Sequence, residues 1–164
     1  MRWRSPRSRS PPGFTLVELV AVIVLLGILS AFAAPRMLDM TAVNARGLQD
    51  ETLSFLRYAQ KSAVAQRRIV CVAFTSRSVT LHIGAMPGFA TCDTPLRGPA
   101  GDSPGTLTAQ GGAGYRTVPA DFNFNGLGQP VDASGAVLTT SQILQVNNVN
   151  GPLTVEAVTG YTHE

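Results

Sequence analysis

The sequence predicts an α+β protein: a long N-terminal α-helix, membrane-spanning in its first half, packed on a small C-terminal antiparallel β-domain. Three observations predict this class. An apolar run of 21 residues from Phe14 to Ala34 contains one ionisable residue, Glu18. Apolar residues then recur at spacings of three and four up to about Gln66, which is typical of an amphipathic helix. After that point the period becomes two, and short β-rich segments alternate with turns rich in glycine, proline and asparagine.

The apolar run has the length and the flanks of a membrane-spanning helix. At a rise of about 1.5 Å per residue it reaches roughly 30 Å, the thickness of a bilayer's hydrocarbon core. Four arginines and no acidic residue precede it, at positions 2, 4, 7 and 9. Basic residues on one flank hold that end in the cytoplasm, so the chain after Pro35 is expected outside.

Glu18 is the exception within the run. A carboxylate inside a bilayer costs on the order of 3 kcal/mol or more, so it needs a partner or a purpose. Cleavage after Gly13 would create a free amine on Phe14, about one helical turn from Glu18. The two groups could pair within one chain or between neighbouring chains. Pairing between chains would set the axial register of a helical filament.

The G-F-T-L-x-E motif at residues 13–18, ahead of an apolar helix, resembles the signal of type IV prepilins and type II secretion pseudopilins. The resemblance implies cleavage after Gly13 and N-methylation of Phe14 by a prepilin peptidase. It also implies that Glu18 guides docking onto a growing filament. Pro35, 21 residues after Phe14, stands where that family has a proline.

Two other interpretations of the N-terminus remain open. One is a secretory signal peptide with the A-x-A-like residues 31–33 before a cleavage site, although Glu18 would then lie unexplained in the apolar region. The other is a plain single-span anchor without an assembly role.

The remaining charge and the two cysteines restrict the function further. Four of the 13 basic residues lie in residues 1–13, which leaves nine against ten acidic residues, a net charge of −1. That balance argues against a nucleic-acid-binding surface.

In an oxidising periplasm, Cys71 and Cys92 most simply form one disulfide, which would stabilise the domain by about 3 kcal/mol. Two buried free thiols are the alternative.

The helix is expected to continue beyond the membrane with one apolar stripe. Its predicted members are Leu38, Ala42, Ala45, Leu48, Thr52, Phe55, Leu56, Ala59 and Ala63. Positive charge at Arg57, Lys61, Arg67 and Arg68 is expected in its last turns, where it suits the helix dipole. Gly27, Pro35 and Gly47 are the positions where the helix could bend.

A β-hairpin is predicted next, with strands at 69–75 and 79–84. Residues 85–114 are expected to form a long irregular loop, because eleven of the thirty are glycine or proline. Further strands are predicted at 115–119, 122–125, 136–140, 143–147 and 153–158.

Two later segments resemble a subgroup of that family. Residues 122–130 resemble the F-x-x-x-G-x-P turn of the H-type minor pseudopilins and of the minor pilins of the mannose-sensitive haemagglutinin (MSHA) type. Residues 158–163 resemble the C-terminal strand of the same group. The resemblance implies the type IV pilin fold and a minor subunit that helps to initiate or cap a filament.

The sequence therefore predicts a structural subunit rather than an enzyme, with no cofactor and no metal. The expected role is that of a minor pilin of an MSHA-like type IV pilus; the alternatives are a minor pseudopilin of a type II secretion system and, less favoured, a DNA-binding minor pilin. Expected partners are the prepilin peptidase, other major and minor pilins or pseudopilins, and the inner-membrane assembly platform. The expected location is the bacterial inner membrane, crossed once, with the C-terminal domain in the periplasm, and then the filament. The predicted division is a cleaved leader at 1–13, a transmembrane and filament-core helix at 14–35, an amphipathic continuation at 36–66 and a periplasmic β-rich domain at 67–164.

Overall fold

The computed structural model describes residues 14–33, 40–88 and 91–164. The chain divides into two compact units, residues 1–39 and residues 40–164. In the first unit, α1 covers Leu16–Ala33, and Gly27 lies inside it in helical conformation. Within the described ranges, no helix combines the length and the hydropathy that a membrane crossing requires. Gly13, Pro35 and Leu38 lie outside the described residues.

The second unit begins with α2, Met40–Gln66, which ends where the sequence predicted and is helical through Gly47. The predicted apolar stripe is confirmed from Ala45 to Ala63. Ala42, however, is exposed, as are Met40 and Val43, because the β-domain covers the helix only from Ala45 onwards. The buried face also includes a polar residue that the stripe did not predict, Gln49.

Two backbone hydrogen bonds end α2. The Arg67 N–H donates to the Val64 carbonyl at 3.3 Å, and the Arg68 N–H donates to the Ala63 carbonyl at 3.1 Å. Arg67 has a φ of 52°, the left-handed conformation that commonly follows a helix. The prediction that Arg67 and Arg68 lie in the last turn was wrong. Both residues follow the helix, and their backbone N–H groups donate hydrogen bonds to carbonyls of its last turn.

Six strands form an antiparallel sheet beside α2. They are β1 (Val70–Phe74), β2 (Ser78–Ile83), β3 (Thr94–Pro95), β4 (Thr106–Thr108), β5 (Phe122–Phe124) and β6 (Pro130–Val131). Their order is β3-β2-β1-β5-β6, and β4 pairs with β2 as well. Alternate residues of β1 and β2 are buried in the same core cluster as the α2 stripe. The α+β class and the first hairpin are confirmed.

Three more strands form a second antiparallel sheet in the order β7-β8-β9: β7 (Gln142–Leu144), β8 (Leu153–Val155) and β9 (Thr162–His163). The strands predicted at 115–119 and 136–140 are absent; the structure has only single bridges there, Tyr115 to Val146 and Val131 to Val137. Near the second bridge, the Asp132 side chain accepts from the N–H groups of Ser134 and Ala136, so the backbone turns tightly instead of extending.

The prediction of an irregular loop over 85–114 was partly wrong, because β3 and β4 lie within it and both pair with β2. Their pairing depends on tertiary contacts. The disulfide joins Cys71 of β1 to Cys92, just before β3, as the sequence predicted. The Gly105 N–H then donates a hydrogen bond to the Leu96 carbonyl at 2.6 Å, and the Gly105 carbonyl accepts one from the Leu81 N–H at 2.9 Å.

A polar pair lies in the apolar core between α2 and the β-domain. The Thr52 hydroxyl donates to the Leu48 carbonyl at 2.7 Å, so the Tyr115 hydroxyl, 2.8 Å away, donates to Thr52. Burial raises the pKa of Tyr115 to about 12. Phe74 lies edge-on to the Tyr115 ring and stacks on Phe122 in the same cluster.

Candidate functional site

The N-terminal turn of α1 is capped by a side chain. The Thr15 hydroxyl accepts a hydrogen bond from the Glu18 N–H at 3.2 Å, and the Thr15 carbonyl accepts from the Leu19 N–H. Thr15 is therefore the N-cap and Glu18 the third helical residue, which is the residue spacing of a capping box, with the Thr15 half of the box formed. The T-x-x-E spacing at residues 15–18 signals this cap, although a capping role for Thr15 was not among the predictions.

The Glu18 carboxylate lies in the first turn of α1, where negative charge suits the helix dipole. Within the described residues it accepts no hydrogen bond and forms no ion pair. Phe14, whose amine the sequence proposes as its partner, precedes the helix and is 83% exposed. The structure thus places both residues at one accessible helix end.

The rest of α1 exposes apolar side chains in every direction. Its large hydrophobic residues from Leu16 to Leu29 are between 45% and 79% exposed. A helix that is apolar on all sides requires an apolar environment, either lipid or other helices.

In the 40–164 unit, the two segments that resemble the minor subunits meet on α2. The Gln60 side-chain amide donates to the Gly128 carbonyl at 2.9 Å and to the Thr159 carbonyl at 3.0 Å. Gly160, with a φ of 67°, lies so close that a Cβ there would be 2.2 Å from the Gly128 carbonyl oxygen. The 122–130 turn and the 158–163 segment therefore form one structural unit, which Gln60 holds together. Sequence reasoning did not identify Gln60.

A second helix residue holds the end of the chain. The Arg57 guanidinium donates twice to the Thr162 carbonyl, at 2.9 and 3.2 Å. On the neighbouring strand residue, His163 Nε2 lies 3.0 Å from a Glu156 carboxylate oxygen. The hydrogen bond to Glu156 raises the pKa of His163, while the bond to His163 lowers the pKa of Glu156. Neither His163 nor Arg57 belonged to the predicted site.

Comparison with known proteins supports the N-terminal motif. Residues 10–34 match the family model of the prokaryotic N-terminal methylation motif. Over 91 residues the chain is 34% identical to the type IV narrow pilus major component PilA5 of Thermus thermophilus, covering 56% of this chain and 62% of that relative. Over 76 residues it is 32% identical to a fimbrial protein of Pseudomonas aeruginosa, covering 46% of this chain and 49% of the relative.

The chain thus spans about half to three-fifths of the length of the curated relatives it matches. No solved structure matches it significantly. The motif at residues 10–34 and these relatives show that the chain is similar to type IV pilus and fimbrial proteins over part of its length. The relatives are named as a pilus component and a fimbrial protein, and neither name describes an enzyme.

The junction at Gly160 can be tested by adding one methyl group. Gly160→Ala should lower the free energy of unfolding by at least about 2–3 kcal/mol, because the new Cβ meets the Gly128 carbonyl and the backbone is left-handed. Gly135→Ala is the matched control: its φ is 87°, and a Cβ there meets nothing within 4 Å. It should cost only about 1 kcal/mol, the penalty of the conformation. Urea unfolding followed by circular dichroism gives both values, and equal losses would contradict the proposed close contact.

The Glu156–His163 pair predicts a pH-dependent stability. The raised pKa of His163 makes its contribution complete below the ordinary value of 6.5, and the contribution disappears as the pH rises through the raised pKa. The lowered pKa of Glu156 makes its contribution complete above 4.5. His163→Gln should therefore destabilise the protein more at about pH 5.5 than at about pH 8.5. Urea midpoints at the two pH values measure this, and a larger loss at the higher pH would reverse the predicted sign.

Proposed function

We propose that this chain is a minor pilin that helps to initiate or cap a type IV pilus of the MSHA type. The observation that carries the proposal is α1, an apolar helix that is exposed along the described residues and lies within the match to the methylation motif. Its first turn carries Glu18, whose carboxylate has no partner among the described residues. Such a helix suits two successive apolar environments, first the bilayer and then a bundle of like helices. A pilus subunit needs both.

The minor role is supported by the junction on Gln60. The turn at 122–130 and the segment at 158–163, the two features that resemble the minor subunits, contact the same α2 side chain. Their resemblance thus concerns one connected part of the 40–164 unit and not two unrelated turns.

In the proposed mechanism a prepilin peptidase cleaves after Gly13 and methylates the new amine of Phe14. Residues 14–35 then anchor the chain by one crossing of the inner membrane, with the β-domain in the periplasm. During assembly, Glu18 pairs with the Phe14 amine of a neighbouring pilin, and the apolar surface of α1 packs against its helices. The assembly platform in the inner membrane moves the subunit into the filament.

The same geometry would serve a minor pseudopilin of a type II secretion system. The two roles differ in what a deletion removes. Under the pilus proposal, deletion lowers the number of surface pili and leaves the secretion of exported enzymes intact. Lost secretion with normal piliation would favour the pseudopilin instead.

Processing predicts the mass of the protein extracted from membranes. The mature chain should begin at Phe14, with one methyl group on its amine, and the intact mass together with N-terminal sequencing reads both features. A chain that begins at Ala34 would show cleavage by signal peptidase, and the assembly mechanism would be wrong.

Assembly predicts the effect of changing Glu18. Glu18→Ala should still enter the membrane, but its amount in sheared pili should fall at least about tenfold, because an ion pair that loses one partner in apolar surroundings costs ~3–5 kcal/mol. Quantitative immunoblots of membrane and sheared fractions measure both pools.

Two further variants separate charge from helix capping. Glu18→Gln keeps a residue that suits the capping box but removes the charge, so it should fail as Glu18→Ala does. Thr15→Ala removes the cap and keeps the charge, so it should still enter pili. Wild-type incorporation of Glu18→Gln would exclude the ion pair.

A further inference from the structure

Two asparagines of the chain, Asn125 and Asn150, are each followed directly by a glycine. An asparagine side chain can cyclise onto the backbone nitrogen of the next residue, and a glycine there has no Cβ that would obstruct the approach. The other asparagines precede residues that carry a Cβ. The sequence therefore offers two equivalent positions for this reaction, but the fold surrounds them differently.

Hydrogen bonds hold both the side chain and the backbone of Asn125. Its Oδ1 atom accepts from the N–H groups of Leu127 and Gln129, at 2.9 and 3.0 Å, and its Nδ2 atom donates to Oε1 of Gln129 at 3.2 Å. Its backbone N–H donates to the Gln129 carbonyl at 3.0 Å. Gly126 is packed as well, since a Cβ there would lie 3.0 Å from the carbonyl carbon of Arg67. Cyclisation at Asn125 must therefore break several hydrogen bonds and move a packed segment.

Asn150 and Gly151 lie in open surroundings, in the connection between β7 and β8. Both residues are exposed. Within the part of the chain that the structure describes, neither the Asn150 side chain nor the Gly151 N–H forms a hydrogen bond. A Cβ built on Gly151 would meet nothing within 4 Å. The two groups that must react are thus free to approach each other.

We propose that Asn150 is a site of spontaneous covalent modification and that the fold protects Asn125 from the same reaction. The Gly151 backbone nitrogen attacks Cγ of Asn150 and forms a C–N bond, while its proton passes to a solvent base. The side-chain nitrogen takes up a proton and leaves as ammonia. Water then adds to either carbonyl of the succinimide ring and opens it, which gives aspartate or isoaspartate. The step needs only water, and the inference does not depend on the proposed function.

The modification changes the charge of a polar recess. Asn150 lines a recess of about 270 Å³ whose wall also includes Arg46, Asp50 and Glu164. Hydrolysis replaces a neutral amide there with a carboxylate, so each modified molecule gains one negative charge beside two acids and one arginine. Val149, the preceding residue, is buried in the core cluster. The isoaspartate product therefore lengthens the main chain directly beside a packed residue.

Incubation in water enriched in heavy oxygen tests the inference. The purified full chain, in detergent micelles and mildly alkaline buffer, should incorporate one heavy oxygen at position 150 over several days. Position 125 should be labelled at least about tenfold more slowly, because its hydrogen bonds must break first. Digestion in ordinary water and fragmentation mass spectrometry then locate the label, which marks only the hydrolysis that occurred during the incubation. Isoelectric focusing of the intact chain should show a single new acidic form.

The unfolded chain and two variants are the controls. In urea the two positions should be labelled at similar rates, because both have the same Asn-Gly sequence. Asn150→Gln removes the reactive side chain, so the label at position 150 and the acidic form should disappear. Gln129→Ala removes the partner of the Asn125 amide, so labelling at position 125 should rise at least about threefold while position 150 stays as in the wild type.

Three results would overturn the inference. Equal labelling of the two positions in the folded chain would show that the fold does not protect Asn125. Labelling of position 150 only in urea would show that the folded β7–β8 connection is unreactive. An unchanged rate at position 125 in Gln129→Ala would show that the hydrogen bonds of Asn125 are not what protects it.

Discussion

The packing of one face of α2 on the β-domain is the contact on which the rest of the 40–164 unit depends. The stripe from Ala45 to Ala63 is buried in one cluster with alternate residues of β1 and β2. Burying that face also brings polar helix residues to defined partners: Thr52 to the Tyr115 hydroxyl, Arg57 to the Thr162 carbonyl, and Gln60 to the carbonyls of Gly128 and Thr159. The helix thus orders the turn at 126–130 and the last strand, which are far apart in sequence.

The two helices satisfy the hydrophobic effect in different ways. α2 has one apolar face and buries it within its own chain, so that unit is complete by itself. α1 is apolar on all sides and is exposed along its described residues, so it depends on lipid or on other chains. The capped turn with Glu18 adds a charge at the end of this surface. Apolar contact alone does not fix the axial position of one helix against a neighbouring helix. A single charge in apolar surroundings can select one such register among many.

The elements that local patterns predicted correctly are those with a strong period or a strong chemical constraint. The α2 stripe and its end near Gln66, the first hairpin and the Cys71–Cys92 disulfide are present as predicted. The errors fall where pairing is decided by distant residues. β3 and β4 are short, and the residues around them are rich in glycine and proline. They form because β2 offers an edge with which both can pair. The segments at 115–119 and 136–140 have β-like composition, but only single bridges reach them.

By itself, the sequence determined the α+β fold class, the helix periods and the motif at residues 13–18, because these depend on the order of neighbouring side chains. Only the tertiary structure decided that Gln60 and Arg57 hold the end of the chain and that Gly128 and Gly160 must approach each other. Each of these depends on residues tens of positions apart, whose proximity is set by how the helix face and the two sheets bury their apolar sides together.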